Sequence, residues 1–307
     1  MYNRDWKSIN NRLIRQGTLL LSLSFLEKWE EQLAGMNNNK VGRPYEYPNG
    51  LIEYAGALHC FMHLGYRQVK GILLAIQEKE PLLRVPDYST ICRRFNRLKT
   101  RIRPRVGENK LWIAVDSSGM CVTNRGEWMR KMHRKGRITE CKGFLKVHIA
   151  VDVRSKQIVA LEVTRENVAD NRMFAPLLIQ SIENTNKDID KVFGDMGYDS
   201  YINFEICEEA GIEPVIMVRR NSAMQPPPDS FRNRRRKVYR ARYKYAREQL
   251  QNIEKWKKEK GYGHRWIAES VFSALKRCYG KHVMARKFEN MQQELLFKIF
   301  LYNQLLL

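Results

Sequence analysis

The spacing of apolar residues changes near residue 110, from a helical period to short runs rich in Val, Ile and Leu. A chain with that change needs both a helical region and a sheet with its own core. Upstream, Val69, Ile72, Leu73 and Ile76 recur at i, i+3, i+4 and i+7, one face of a helix. Helices are predicted over about 50–64, 66–77 and 89–100. Two more helical segments fall within residues 1–40, where Leu19, Leu23, Leu26 and Leu33 lie near helical spacing. Downstream, Leu111–Val115, Gly143–Val153, Gln157–Thr164, Lys191–Gly194 and Pro214–Val218 read as strands. Segments 170–184 and 201–210 between the later ones read as helices. The order β-β-β-α-β-α-β, a meander followed by crossovers, predicts an α/β domain built on a mixed sheet.

Charge narrows the partners. Lys plus Arg number 55 against 33 Asp plus Glu, a net +22 on 307 residues. With 43% hydrophobic residues the chain is a folded basic protein, and a polyanion, first of all nucleic acid, is the expected partner. No apolar stretch approaches the roughly 20 residues of a membrane helix. The N-terminal residues lack the apolar core of a signal peptide. Cys60, Cys92, Cys121, Cys141, Cys207 and Cys278 are scattered without a CxxC pair, which argues against a disulfide framework or zinc knuckle and suits a reducing cytoplasm.

Two basic regions stand out. On the 89–100 helix, which Asp87 or Ser89 can cap, Ile91, Phe95 and Leu98 form the apolar stripe, opposite Arg93, Arg94, Arg97 and Lys99. A polar face of one sign fits contact with DNA phosphates or a major groove, and equally a solvated surface. The preceding turn, Pro81 to Pro86, is longer than the roughly 3–4 residues of a tight helix-turn-helix, so the region is only helix-turn-helix-like. The second region, 219–260, holds 15 Lys or Arg against 4 Asp or Glu, half of the net charge, and includes Arg234, Arg235 and Arg236. Tyr239, Tyr243 and Tyr245 lie among these charges and suit stacking on bases; the alternative is a basic arm that only solubilises the chain.

Acidic residues at strand ends need a reason in so basic a protein. Asp116 ends the apolar run from Leu111, and Asp195 ends Val192–Gly194. Carboxylates at the C-terminal ends of sheet strands project where α/β proteins bind ligands, although each taken singly also fits a capping or turn residue. A third set lies on a segment that reads as one helix over 264–279. At about 100° per residue, Tyr262, Arg265, Glu269 and Lys276 fall within one stripe, opposite Ile267, Val271, Leu275 and Cys278. That face presents a carboxylate flanked by two cations and a phenol, or else an ordinary i, i+4 ion pair. His59 and His63, also i, i+4, have the spacing of a zinc pair but no second pair nearby, and core packing accounts for them. Asp152 and Asp199 are reserve ligands that turns explain as well.

Tyr262, Arg265, Glu269 and Lys276 match without a gap the Tyr-x2-Arg-x3-Glu-x6-Lys signature of DDE transposases from bacterial and archaeal insertion sequences, the insertion-sequence-four and -five group. Ile113–Ser118 resembles the first-Asp block of that family and Asp195–Asp199 its second, with Met196 where a small residue is expected. Gly42–Tyr45, Tyr66–Gln68 and Pro86–Ser89 resemble its amino-terminal block, so the likeness runs over nearly the whole chain. It implies a ribonuclease H-like catalytic core behind a helical DNA-binding and dimerisation region, 1–108. The core would comprise 109–218 and 261–307, with 219–260 as a short basic insertion. It implies that Asp116, Asp195 and Glu269 hold two Mg²⁺ ions, with Mn²⁺ accepted, Asp116 bridging both. Arg265 and Lys276 would hold phosphates of the transposon end, and Tyr262 its backbone or a terminal base. The reaction implied is hydrolysis at the element's ends and joining of the 3′-hydroxyl to target DNA by a homodimer on paired ends, in the cytoplasm at the nucleoid. A metal-dependent nuclease, or a domesticated transposase that only binds DNA, are the competing readings. The apolar segment from Phe288 to Leu307 is expected to pack on the catalytic core, or else to pair two copies.

Overall fold

The computed structural model describes residues 6–122, 144–219 and 233–306. They form two compact units, one of Met1–Arg101 with Arg277–Gly280 and Ala285–Leu307, the other of Ile102–Lys276 with Lys281–Met284.

The first unit is helical: α1 (Trp6–Leu21), α2 (Trp29–Asn37), α3 (Asn49–Phe61), α4 (Tyr66–Gln77) and α5 (Tyr88–Phe95), with the C-terminal helix, numbered α11 below, Phe288–Leu305. Val69 and Leu73 of the α4 stripe are fully buried against Leu51, Ala55, Leu58, Leu83 and Ile91. Asp87 caps α5, accepting from the Ser89 N–H at 3.0 Å and the Ser89 hydroxyl at 2.8 Å. The helix stops at Phe95 rather than near residue 100. Tighter i→i+3 bonds, Arg97 N–H to Arg94 O and Leu98 N–H to Phe95 O, close its last turn, and the Asn96 amide folds back on Cys92 O. The C-terminal helix belongs to this unit. Phe297 meets Phe95 edge-on at 5.0 Å, and Gly56 makes room for both rings. Burial of one such ring stabilises by roughly 1.5–3 kcal/mol, so the apolar C-terminal segment has a partner in this helical unit.

The second unit is a mixed α/β layer: β1 (Leu111–Val122), β2 (Phe144–Asp152), β3 (Ile158–Arg165), α6 (Phe174–Thr185), β4 (Ile189–Gly194), α7 (Tyr201–Ala210) and β5 (Glu213–Ile216). It continues with α8 (Asn233–Gln251), α9 (Ile253–Lys260), a 3₁₀ turn Tyr262–Arg265, α10 (Trp266–Tyr279), whose last three residues fall in the first unit, and β6 (His282–Val283). The sheet order is β3-β2-β1-β4-β5, with β6 on β1. The meander β1-β2-β3 is antiparallel, whereas β4 and β5 run parallel to β1. Ile113, Val115, Ala150, Val159 and Val192 fill the core with Phe174, Leu177 and Phe204 from the covering helices.

Three details depart from expectation. β1 does not end at Val115 but runs to Val122, because Asp116 to Cys121 pair in full with Ile149 to Phe144. Within the basic window, Asn233–Gln251 and Ile253–Lys260 are two helices. Two of its tyrosines are spent inside the unit, Tyr239 stacked on Tyr201 at 4.1 Å and Tyr245 on Phe204 at 5.5 Å. No helix among the described residues is long and apolar enough to cross a membrane. Of the cysteines, Cys60, Cys92, Cys121, Cys207 and Cys278 form no disulfide, and Cys141 lies outside the described residues.

Candidate active site

The sheet order puts the two aspartates side by side. β1 and β4 are neighbours, and their parallel register ends with Ala114 beside Phe193. Asp116 and Asp195 each follow two residues later, on adjacent chains just beyond that ladder. Asp195 starts a 3₁₀ turn and accepts the Gly197 N–H at 2.8 Å. Asp116 accepts the Ser117 N–H at 2.8 Å. Burial pushes the Asp116 carboxyl up to about 6; the negative charges of Asp195 and Glu269 add to this, against the Ser117 N–H and the Arg265 guanidinium.

Glu269 comes from α10, whose buried side is Ala268, Val271, Phe272 and Leu275. Tyr262 and Arg265 do not lie on that helix. Gly261, at φ +68, ends α9, and the 3₁₀ turn Tyr262–Arg265 leads into Trp266. The 3₁₀ turn advances about 120° per residue rather than about 100°, so it breaks the continuous stripe read from the sequence between Arg265 and Trp266. The i, i+4 reach survives, with Arg265 Nη1 donating to Glu269 Oε1 at 2.5 Å. The Arg265 guanidinium lies 5.8 Å from the centre of the Tyr262 ring. Lys276 donates to Ser118 Oγ at 2.5 Å, which ties α10 to the same face of β1 as Asp116. Burial and Lys281 hold the Lys276 ammonium below its ordinary value, against the opposing pull of Cys121 and Asp116.

Other candidates are used elsewhere. Asp199 is buried and takes a bidentate guanidinium from Arg242, both bonds 2.7 Å, so it is no reserve ligand. Asp152 accepts the Ser155 N–H and hydroxyl in a turn. His59 stacks on Tyr66 at 4.3 Å and contacts Leu64 O at 2.6 Å inside the helical core. Met196, the bulky departure after Asp195, points outward and is 49% exposed. Among the described residues, no three His, Cys, Asp or Glu side chains stand together closely enough to hold a metal ion as they lie.

On the helical unit, a cavity of about 450 Å³ is lined by Tyr45, Asn49, Arg93, Arg94, Arg97 and Lys99. The three arginines differ in role. Arg94 is half-buried, donating to Tyr47 O at 2.6 Å and Asn49 Oδ1 at 2.7 Å with its guanidinium over Tyr45. Arg93 and Arg97 are exposed. Arg234, Arg235 and Arg236 fall in the first turns of α8 by backbone, and their side chains lie outside the described residues.

Residues the sequence reading missed also gather here. Asp170, His148 and Lys146 form a linked group behind Asp116, and Tyr198 buries its phenol with no hydrogen-bond partner among the described residues. The only sequence signal was Lys146-x-His148, two polar side chains on one face of an otherwise apolar strand.

A mixed sheet of this order, with acidic residues where its parallel strands end, fits a ribonuclease H-like core. Residues 107–304 match the family described as Transposase DDE domain, and a second family of the same description matches residues 14–125. The chain belongs to the DDE transposase domain family. Among solved structures, the chain is similar to one in the cryo-EM structure of the simian T-cell lymphotropic virus intasome in complex with PP2A regulatory subunit B56 gamma. That similarity has 10% identity and a TM-score of 0.25, and covers 71% of this chain and 67% of that one.

Proposed function

We propose that this chain is the transposase of an insertion sequence of the four and five group, cutting DNA at the element's terminal repeats and joining the 3′-hydroxyl to target DNA. The observation that carries the reading is the placement of Asp116 and Asp195 two residues beyond the end of the parallel ladder between the adjacent strands β1 and β4, on a DDE transposase domain. Three carboxylates without histidine or cysteine are the donor set that Mg²⁺ and Mn²⁺ prefer. Asp116, Asp195 and Glu269 would hold two such ions, which would supply an activated water and stabilise the leaving oxygen. Arg265 and Lys276 would bind phosphates of the end, and Tyr262 would pack on its backbone or terminal base. The active form is a homodimer on paired ends, with residues 1–108 binding DNA through a helix-turn-helix-like element, in the cytoplasm at the nucleoid. Residues 109–218 and 261–307 carry the catalytic residues on either side of the basic 219–260 segment.

The test is cleavage and strand transfer on labelled DNA. Cleaved ends joined to target DNA support a transposase. Cleavage without joined product supports a nuclease, and tight binding without cleavage supports a domesticated binder, which the Arg265–Glu269 pairing would also suit. Arg93 and Arg97 contact DNA in this account, whereas Arg94 pins the loop that carries Tyr45 and Tyr47. The double variant Arg93→Ala/Arg97→Ala is therefore expected to weaken end binding more than neutralising Arg234, Arg235 and Arg236. It should also flatten the plot of log affinity against log salt by about 2. Arg94→Ala should instead lower the melting temperature; an equal loss of salt slope in Arg94→Ala contradicts that division.

A further inference from the structure

The β1–β4 ladder stops two residues short of both aspartates, so the turn that carries Asp195 needs another tie to β1. Alternation along β1 turns Asp116 and Ser117 to opposite faces of the sheet. The β1–β2 register pairs Ser117 with His148 and Gly119 with Lys146, so Ser117, His148 and Lys146 share the face away from Asp116. Asp170, the first residue of the 3₁₀ turn Asp170–Met173, reaches over the end of this face. Its Oδ1 lies 2.9 Å from Lys146 Nζ and 3.3 Å from His148 Nδ1, and its carboxylate also accepts the Ser117 hydroxyl. His148 is fully buried, with Nε2 2.9 Å from Thr164 Oγ1, and Lys146 also donates to Val168 O. On its other side, Asp170 Oδ2 faces Gly197. A Cβ at that position would lie 2.9 Å from Asp195 Oδ1, too close for the carboxylate as it stands, and 3.5 Å from Asp170 Oδ2, so the glycine lets Asp195 fold onto the turn while Asp170 lies just beyond it.

One carboxylate therefore bonds to the residue after Asp116 and lies beside the turn whose glycine N–H holds Asp195. With Lys146 on it, Asp170 is neutralised in place and does not serve as a ligand itself. We propose that Asp170, held by Lys146, His148 and Ser117, is a positioning residue that fixes Asp116 and Asp195 relative to one another. The proposal rests on the metal-site reading above. A carboxylate with several donors in a half-buried site is stiff, and partners behind metal ligands typically contribute 10–100-fold in metal affinity or activity.

The experiment measures Mn²⁺ binding by calorimetry, end-DNA binding and melting on the full chain and two variants. Asp170→Asn is expected to weaken Mn²⁺ binding by about 10–100-fold while end-DNA affinity stays within about twofold. A merely structural role would lower the melting temperature and DNA binding with it. Ser117→Ala, which removes one link and leaves every buried charge paired, should weaken Mn²⁺ binding by about threefold with melting unchanged. Mn²⁺ affinity within about twofold of wild type in folded Asp170→Asn, or in Ser117→Ala should Asp170→Asn not fold, overturns the proposal. A wild-type chain that binds no Mn²⁺ overturns the metal-site reading and the proposal with it, so the two failures are distinct.

Discussion

Asp116→Asn is expected to reduce metal-dependent cleavage of end DNA by at least about a thousandfold, which is roughly 4 kcal/mol of transition-state stabilisation. The asparagine keeps the shape of the side chain and its bond to the Ser117 N–H but removes the charge that Asp195, Glu269 and Arg265 sense. Glu269→Gln should act likewise. Because the Glu269 side chain is about half exposed (52%), that variant should fold as wild type. Binding to the same DNA should stay within a few-fold in both, because phosphate contacts from the basic surface dominate affinity. A filter-binding assay beside the cleavage gel separates the two effects. Parallel loss of binding and cleavage would mean that the carboxylates hold the fold rather than the chemistry.

The second large effect concerns stability. Arg242→Ala is expected to destabilise the mixed α/β unit by roughly 3–5 kcal/mol, the range for removing one partner of a buried ion pair. The Asp199 side chain is 1% exposed and takes both guanidinium bonds, and it also accepts the Arg219 N–H at 3.0 Å. Without Arg242 the carboxylate is left buried with only that backbone donor. Asp199→Ala should cost a similar amount, whereas Arg242→Met with Asp199→Leu should recover much of the loss, because an apolar pair of similar volume removes both charges. Urea unfolding of the three variants checks this. A loss below about 1 kcal/mol in Arg242→Ala would place the pair among surface ion pairs. Since Asp199 closes the turn that begins at Asp195, cleavage should fall with stability in the single variants.

The order of strands and helices in the second unit was legible because Val, Ile and Leu cluster in short runs there. The second half of β1 was not. Asp116, Ser117, Ser118 and Gly119 carry no apolar signal, and they are a strand only because β2 supplies Ile149 to Lys146 opposite them. In the basic window, charge hid a packing pattern. Ala241, Tyr245 and Gln249 recur every four residues, and Gln249 accepts the Val218 N–H and donates to Ile216 O. That stripe marks a helix lying against the unit. The C-terminal segment was apolar enough to be read as buried, but which core it joins depends on Phe95 and Gly56, far away in sequence. Asp116, Asp195, Glu269 and Arg265 were legible from strand ends and a spaced motif. Asp170 was not, since it sits in a loop whose neighbours become neighbours only through the β1–β2 register.

The most direct test of the central claim is cleavage of a labelled DNA ending in the element's own terminus, with Mg²⁺, Mn²⁺ or EDTA, by wild type and by Glu269→Gln. Nicking at the end that requires either metal, stops with EDTA and is lost in Glu269→Gln is the predicted result. Metal-dependent nicking that Glu269→Gln retains at the wild-type rate would contradict the carboxylate site.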